Sequence, residues 1–402
     1  MDVVIIAQYL RNIEELKGNN SRFIYLANLL SEEENVHVEI ITSDFLHGPY
    51  KHASKVEQPD NFKITAIKEP GYQKNISLKR FFSHAQLAQN IGKYLEKRKT
   101  PDCIYCAIPS LDVASVAAKY CKKNNVKFVI DIQDLWPEAF KMVINIPVFS
   151  EILFYPMKHQ ADIIYKQADG IIAVSNTYCK RALEFNEKCE KAHTIYLGTK
   201  VEDFDSYSKT ETTIEKKDNR LWLMYCGTLS HSYDLRTVID ALALLRKRNE
   251  DVPYFVVMGD GVKKEDFELY AKQKKVECLF TGKLEYADMC SVLCKGDMVV
   301  NPIIASSPAS IINKHGDYAA SGLPVLNTQV SKEYRQLVDN YKMGFNCKPE
   351  SPEDLADKIS ILIKDEELRR EMGKNARRCA IEKFDRKNTY LEILNTVLRT
   401  IQ

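Results

Sequence analysis

Short β-branched runs alternate along this chain with longer stretches of helical periodicity. Runs that short bury their side chains as strands of a parallel sheet crossed over by helices. Strand-like pieces lie at Val3–Ala7, Val36–Thr42, Cys103–Ala107, Phe128–Ile132 and Gly170–Val174, and Thr194–Leu197 closes a first series. A second series follows at Leu221–Cys226, Tyr254–Met258, Cys278–Thr281, Met298–Asn301 and Val325–Asn327. Between them runs the polar, charged segment Asp203–Arg220, poor in aliphatic residues and read as a domain linker. At 402 residues the chain exceeds what one hydrophobic core usually serves. The pattern therefore predicts two α/β domains, at about 1–205 and 218–384. In the second, Leu235, Val238, Ile239, Leu242 and Leu245 recur at helical spacing after Asp234, a fitting N-cap.

Several function classes drop out on composition. No stretch approaches the roughly 18 apolar residues of a membrane span, and Met1 leads straight into Val3-Val4-Ile5-Ile6, so a cytosolic chain is expected. The eleven cysteines are scattered in apolar runs, and Cys103 and Cys106, the one C-x-x-C pair, read as part of a buried strand. No convincing metal-ligand cluster is visible among the eight histidines. A formal net charge of +2 gives no global signal for nucleic acid.

Two doubly wound domains facing a central cleft would bring the carboxyl ends of both sheets around one ligand. Neither half carries G-x-G-x-x-G after its first strand, which argues against a dinucleotide enzyme. Instead Gly227-Thr228 follows Tyr225-Cys226, and Gly259-Asp260-Gly261 follows Met258. Each glycine turn lets backbone N–H groups approach a phosphate, although either alone is more often a plain strand-to-helix turn.

Order and spacing add more. Tyr225-Cys226-Gly227-Thr228-Leu229, Val256-Val257-Met258-Gly259-Asp260-Gly261, Phe280-Thr281-Gly282-Lys283-Leu284, Met298-Val299-Val300-Asn301-Pro302 and the segment from Asn313 to Val325 follow one another over about 150 residues. This series resembles the nucleotide-binding domain of glycosyltransferase family 4, whose last segment reads K-x-x-E-Y-x-A-x-G-x-P-V. Asp131-Ile132-Gln133-Asp134-Leu135-Trp136-Pro137-Glu138 is similar to the D-x-x-D-L-W-P-E segment of bacterial capsule, O-antigen and exopolysaccharide members. Thr194–Phe204 is similar to the stretch that ends the family's N-terminal domain. The resemblance implies a GT-B fold of two Rossmann-like domains, with a C-terminal helix in 385–402 that packs back on the first. It also implies transfer of a sugar from a nucleotide sugar, with retention, to a hydroxyl of a growing surface glycan.

Physical roles follow. The departing nucleoside diphosphate gains negative charge, and a cation aimed at it lowers the barrier. Lys314 is placed for that work, Lys283, Lys263 and Lys264 being weaker candidates; each also reads as a surface lysine. Gly227, Thr228, Gly259 and Gly261 would lie against the donor. Asp317 stands where the family has the second glutamate of its pair and would accept from the ribose hydroxyls, unless it only serves a helix N-terminus. Ala309 holds the position of the first glutamate, so Ser310, with Ser306 and Ser307, is expected to replace its donor contacts. Thr228 and Tyr233 stand where many members clamp the diphosphate with Arg and Lys, and Gly18-Asn19-Asn20 replaces a Gly-Gly pair. The design requires no metal and no resident cofactor, since basic groups and helix dipoles serve; a UDP-sugar is the expected donor.

In the first domain Asp134, or Asp131, is expected to orient or deprotonate the acceptor hydroxyl, with Trp136 and Pro137 as walls and Glu138 as a cap. A helix N-cap is the other reading of Asp134. Between Lys68 and Lys99 basic residues interleave with Tyr72, Phe81, Phe82, Leu87, Ile91 and Tyr94, and Phe149–Tyr155 is a second apolar stretch. Both suit peripheral contact with an anionic membrane and a polyprenyl-linked acceptor, and both suit helices packed on the sheet. Two further readings stay open: a silent GT-B subunit that binds a glycan or a partner, and a sugar-nucleotide epimerase.

Overall fold

A computed structural model describes residues 1–402 apart from 11, 17–20, 75–76, 142–146, 217 and 308–310, and the side chains of 141 and 147–151 also lie outside the description. The chain forms two compact units, Met1–Tyr196 with Tyr390–Gln402, and Leu197–Thr389.

The first unit holds a seven-stranded parallel sheet ordered Lys63–Ile67, His37–Ser43, Asp2–Ile6, Cys103–Ile108, Lys127–Ile132, Gly170–Ala173, His193–Thr194. Successive strand residues point to opposite faces. Val3, Ile5, Tyr105 and Val129 pack under the helices Arg22–Ser31 and Leu391–Ile401, while Val4, Ile6, Ile104 and Ile130 pack under Leu78–Lys97, Leu111–Asn124 and Pro147–Gln167. Cys103 and Cys106 fall on opposite faces by the same alternation, buried and free. That arrangement prevents them from sharing a ligand. Serines start the helices: Ser21, Ser77, Ser110 and Ser175 each accept from a backbone N–H of the first turn.

The second unit holds a six-stranded parallel sheet ordered Cys278–Gly282, Tyr254–Met258, Trp222–Cys226, Met298–Asn301, Val325–Asn327, Gly344–Asn346. The expected helix runs Leu235–Lys247, and Asp234 accepts from the Thr237 N–H as its N-cap. Strands Lys63–Ile67 and Gly344–Asn346 were absent from the sequence reading because they are half-exposed edges without a continuous apolar run.

The boundaries differ from those expected. Residues 197–205 join the second unit, not the first, and the supposed linker is bound onto it: Ser291 Oγ donates to the Thr210 carbonyl at 2.6 Å, Lys295 Nζ to Ile214 at 3.0 Å, and Lys216 pairs with Asp297. Polar composition there serves side chain to backbone ties and not a free tether. At the other end Arg386 Nε donates to the Leu197 carbonyl at 3.0 Å, so the crossing back falls at Thr389/Tyr390, after the expected 384/385. The last helix, Leu391–Ile401, buries Ile393, Leu394 and Val397 in the first unit.

Candidate functional site

In the second sheet the strand order reverses between Trp222–Cys226 and Met298–Asn301, where open α/β sheets bind ligands. A cavity of about 480 Å³ opens at these carboxyl ends, lined among others by Gly227, Thr228, Tyr233, Gly259, Lys283, Lys314 and Asp317.

Its shape follows from two glycines and a tyrosine. A Cβ on Gly259, whose φ is +156°, would meet the Gly227 carbonyl oxygen at 1.9 Å, so only glycine lets the two strand ends close. A Cβ on Gly227 would sit 2.6 Å from Lys314 Nζ. Tyr318, fully buried, accepts from the Cys226 N–H at 2.9 Å and donates to its carbonyl at 3.2 Å. This fastens the helix Lys314–Ala320 across the end of the central strand and brings Lys314 over the glycine turn.

Lys314 is 8% exposed, and its ammonium has no hydrogen-bond partner. It lies 4.3 Å from the Tyr225 ring centroid and 4.0 Å from that of Tyr233. Burial drives its pKa down to about 7. Two tyrosine faces offset part of the lost hydration, and the residue lines the cavity with its donor hydrogens unused, so the arrangement suits an anion. Tyr233 lines the same cavity and packs its ring against the Lys314 ammonium.

Asp317 lines the same cavity. Its Oδ1 accepts from Tyr286 OH at 2.8 Å, and Tyr286 OH lies 2.9 Å from Thr199 Oγ1. Burial raises the Asp317 carboxyl above its ordinary range, with the bonds from Tyr286 and Thr199 opposing. Tyr286 and Thr199 escaped the sequence reading, because neither lies in a recognisable motif and their spacing from Asp317 is purely tertiary.

Other expected residues are distributed differently. Gly261 does not line the cavity; its hydrogen side chain is dictated by the Leu229 carbonyl, 2.3 Å from where a Cβ would lie. Lys263 pairs with Asp266 at 2.7 Å and Lys264 with Glu268 at 4.0 Å, and neither lines the cavity. Ser306 and Ser307 do not line it either. Ser310, Ala309 and the Gly18-Asn19-Asn20 loop lie outside the described residues. Among the described residues no group of three or more His, Cys, Asp or Glu side chains is arranged to hold a metal ion.

In the first unit the two aspartates separate. Asp131 is fully buried and forms a two-pronged ion pair with Arg22, Nε to Oδ2 at 2.7 Å and Nη2 to Oδ1 at 3.2 Å, and Tyr105 OH donates to Oδ2 at 2.7 Å. It is a core ion pair and is unavailable to an acceptor hydroxyl, which corrects its assignment as a catalytic residue. Asp134 is half-buried beyond the strand end. Burial raises its carboxyl above the ordinary range, while the Leu135 N–H, the Trp136 side chain and the nearby Arg80 act the other way. It starts no helix: the following one runs Glu138–Lys141, and Glu138 pairs with Arg181 at 2.8 Å. Trp136 is 5% exposed and stacks on His84, 5.9 Å between centroids, so it belongs to the interior and is not an open wall.

Residues 208–379 match the family model described as glycosyl transferases group 1. An uncharacterised glycosyltransferase of Methanocaldococcus jannaschii is 24% identical over 259 residues, covering 60% of this chain and 62% of that one. The alpha-D-kanosaminyltransferase of Streptomyces kanamyceticus is 24% identical over 202 residues, 46% of this chain and 49% of that one. The chain thus spans less than two thirds of either relative's length. Among solved structures, HepE of Anabaena in complex with UDP superposes with a TM-score of 0.68 at 16% identity, covering 99% of this chain and 100% of that one. The fold is GT-B, with two Rossmann-like parallel-sheet domains.

Proposed function

We propose that this chain is a glycosyltransferase that binds a nucleotide sugar in the cavity of its second unit and transfers the sugar to an acceptor hydroxyl. The observation that carries the reading is the Lys314 ammonium, buried and without a hydrogen-bond partner, on a residue that lines a cavity at the sheet's switch point. As the bond from the sugar's anomeric carbon to the diphosphate oxygen breaks, the electron pair stays on that oxygen, and Lys314 with Lys283 would meet the charge. Asp317, held by Tyr286, would accept from the ribose. The acceptor oxygen bonds to the anomeric carbon and loses its proton, and Asp134 is the proposed base. Membership of family 4, retention of the anomeric configuration, a UDP-sugar donor and a polyprenyl-linked surface-polysaccharide acceptor complete the reading. The UDP in the HepE complex and the D-x-x-D-L-W-P-E segment support it.

A thermal-shift panel of UDP, GDP, dTDP and CMP with their sugars tests the donor, since a ligand of the native state alone raises its stability. UDP is expected to raise Tm, and its sugar to be consumed. A protein that no nucleotide stabilises contradicts the reading, whereas interconversion of sugar nucleotides without an acceptor identifies an epimerase.

Two substitutions test the supporting residues. Tyr286→Phe removes a hydrogen bond to a carboxylate and is expected to weaken UDP about tenfold, with less effect on turnover at saturation. An unchanged dissociation constant, measured by calorimetry, would remove Tyr286 from the site. Asp134→Asn is expected to bind UDP as wild type does and to lose roughly a hundredfold or more in transfer. Because the base must be ionised and its carboxyl is raised, wild-type rate should fall as pH drops through that raised pKa. The Asn variant should lack this acidic limb.

A further inference from the structure

One buried imidazole closes the turn that carries Lys314. Ile312 and Asn313 line the cavity beside Lys314, whereas the next residue, His315, is fully buried and does not line it. The His315 N–H donates to the Ile312 carbonyl at 3.1 Å, and the Ile312 N–H donates back to Nδ1 of the ring at 3.2 Å. Asn313, at the start of Lys314–Ala320, makes no side-chain bond to the helix. The reciprocal pair through His315 therefore takes the place of a side-chain N-cap.

The far side of the ring is anchored as well. Because Nδ1 accepts, the neutral imidazole carries its hydrogen on Nε2. Burial, with Lys314 adjacent, holds its pKa well below the ordinary histidine value, which keeps the ring neutral, and its N–H is bonded to the Gln329 side chain. Asn301 Nδ2, 3.1 Å from Nε2, donates to Gln329 Oε1 at 3.2 Å and to Asn327 Oδ1 at 3.0 Å. Asn301 and Asn327 are the last residues of the paired strands Met298–Asn301 and Val325–Asn327, and all three amides are fully buried. Tyr334 covers one face of the imidazole, with centroids 3.5 Å apart and planes 4° from parallel. A leucine would fill this space without burying polar atoms, but it could hold neither the Ile312 N–H nor the Gln329 amide. The ring thus ties the turn before Lys314 to two strand ends of the sheet.

We propose that His315 is a positioning residue of the donor site: it does not meet the ligand itself, and it acts by holding the Ile312–Lys314 wall so that the Lys314 ammonium meets the diphosphate. This rests on the donor reading of the cavity.

A double-mutant cycle on UDP binding, measured by calorimetry, tests it. His315→Leu is expected to weaken UDP about tenfold in the wild-type background, and by less than about twofold once Lys314→Met has removed the group being positioned. His315→Asn, which keeps an acceptor at the place of Nδ1, should recover most of the affinity. Gln329→Met cuts the other end of the tie and replaces the leucine variant in the cycle where that protein does not fold; its loss should likewise vanish in Lys314→Met. Denaturant unfolding reports stability separately, since a core histidine without this role would lower stability and leave the dissociation constant alone. An unchanged dissociation constant, equal losses in the two backgrounds, or an asparagine variant no better than leucine would overturn the proposal and leave the donor reading in place. Lys314→Met binding UDP as wild type does would contradict the donor reading, and the proposal with it.

Discussion

Lys314→Met is expected to abolish useful transfer while making the ligand-free protein more stable. Methionine keeps most of the volume between Tyr225 and Tyr233 and removes a buried ammonium that no group hydrogen-bonds. Loss of one preorganised charge from a leaving-group site costs on the order of a hundredfold to a thousandfold in turnover. The stability gain depends on pH in a definite direction. The Lys314 pKa is depressed to about 7 in the fold from 10.5, so below 7 the folded protein bears the full cost of the buried charge. Between 7 and 10.5 the unfolded chain binds the additional proton, and wild-type stability climbs with pH toward that of the variant. Denaturant unfolding of both proteins across this window checks the trend. A constant difference would mean that Lys314 reaches solvent.

Asp131→Asn is expected to act on the fold. It leaves the Arg22 guanidinium buried without its carboxylate, a loss of about 3–5 kcal/mol. Replacing both members of the pair by apolar residues, Arg22→Met with Asp131→Leu, should recover much of that stability, because the uncompensated charge disappears. Transfer per folded molecule should remain close to wild type in Asp131→Asn. A stable Asp131→Asn protein with no transfer would return the residue to the catalytic set.

These two residues mark what the sequence could and could not convey. Lys314 was legible because it sits in an ordered series of glycine turns and strand ends whose spacing is local. Its aromatic cage was not, since Tyr225 and Tyr233 reach it only after the helix Lys314–Ala320 is fastened by Tyr318. Asp131, near the end of the strand Phe128–Ile132, was expected to reach an acceptor hydroxyl. Strand alternation, however, puts it on the face of Val129 and Tyr105, pointing into the core toward Arg22. The central strands of both sheets read correctly because they are buried on two faces and continuously apolar. The edge strands Lys63–Ile67 and Gly344–Asn346 and the crossings between units did not, because half-exposed strands and side chain to backbone ties leave no periodic signature.

Binding of UDP measured by calorimetry at pH 8, in buffers of different ionisation enthalpy, tests the central claim most directly. The free protein holds Lys314 largely neutral above about 7, and a bound diphosphate favours its charged form. Wild type should therefore take up close to one proton on binding UDP, with affinity weakening as pH rises above 7, and Lys314→Met should bind weakly with no such uptake. Equal affinity and equal proton balance in the two proteins would contradict the assignment of Lys314 to the phosphates.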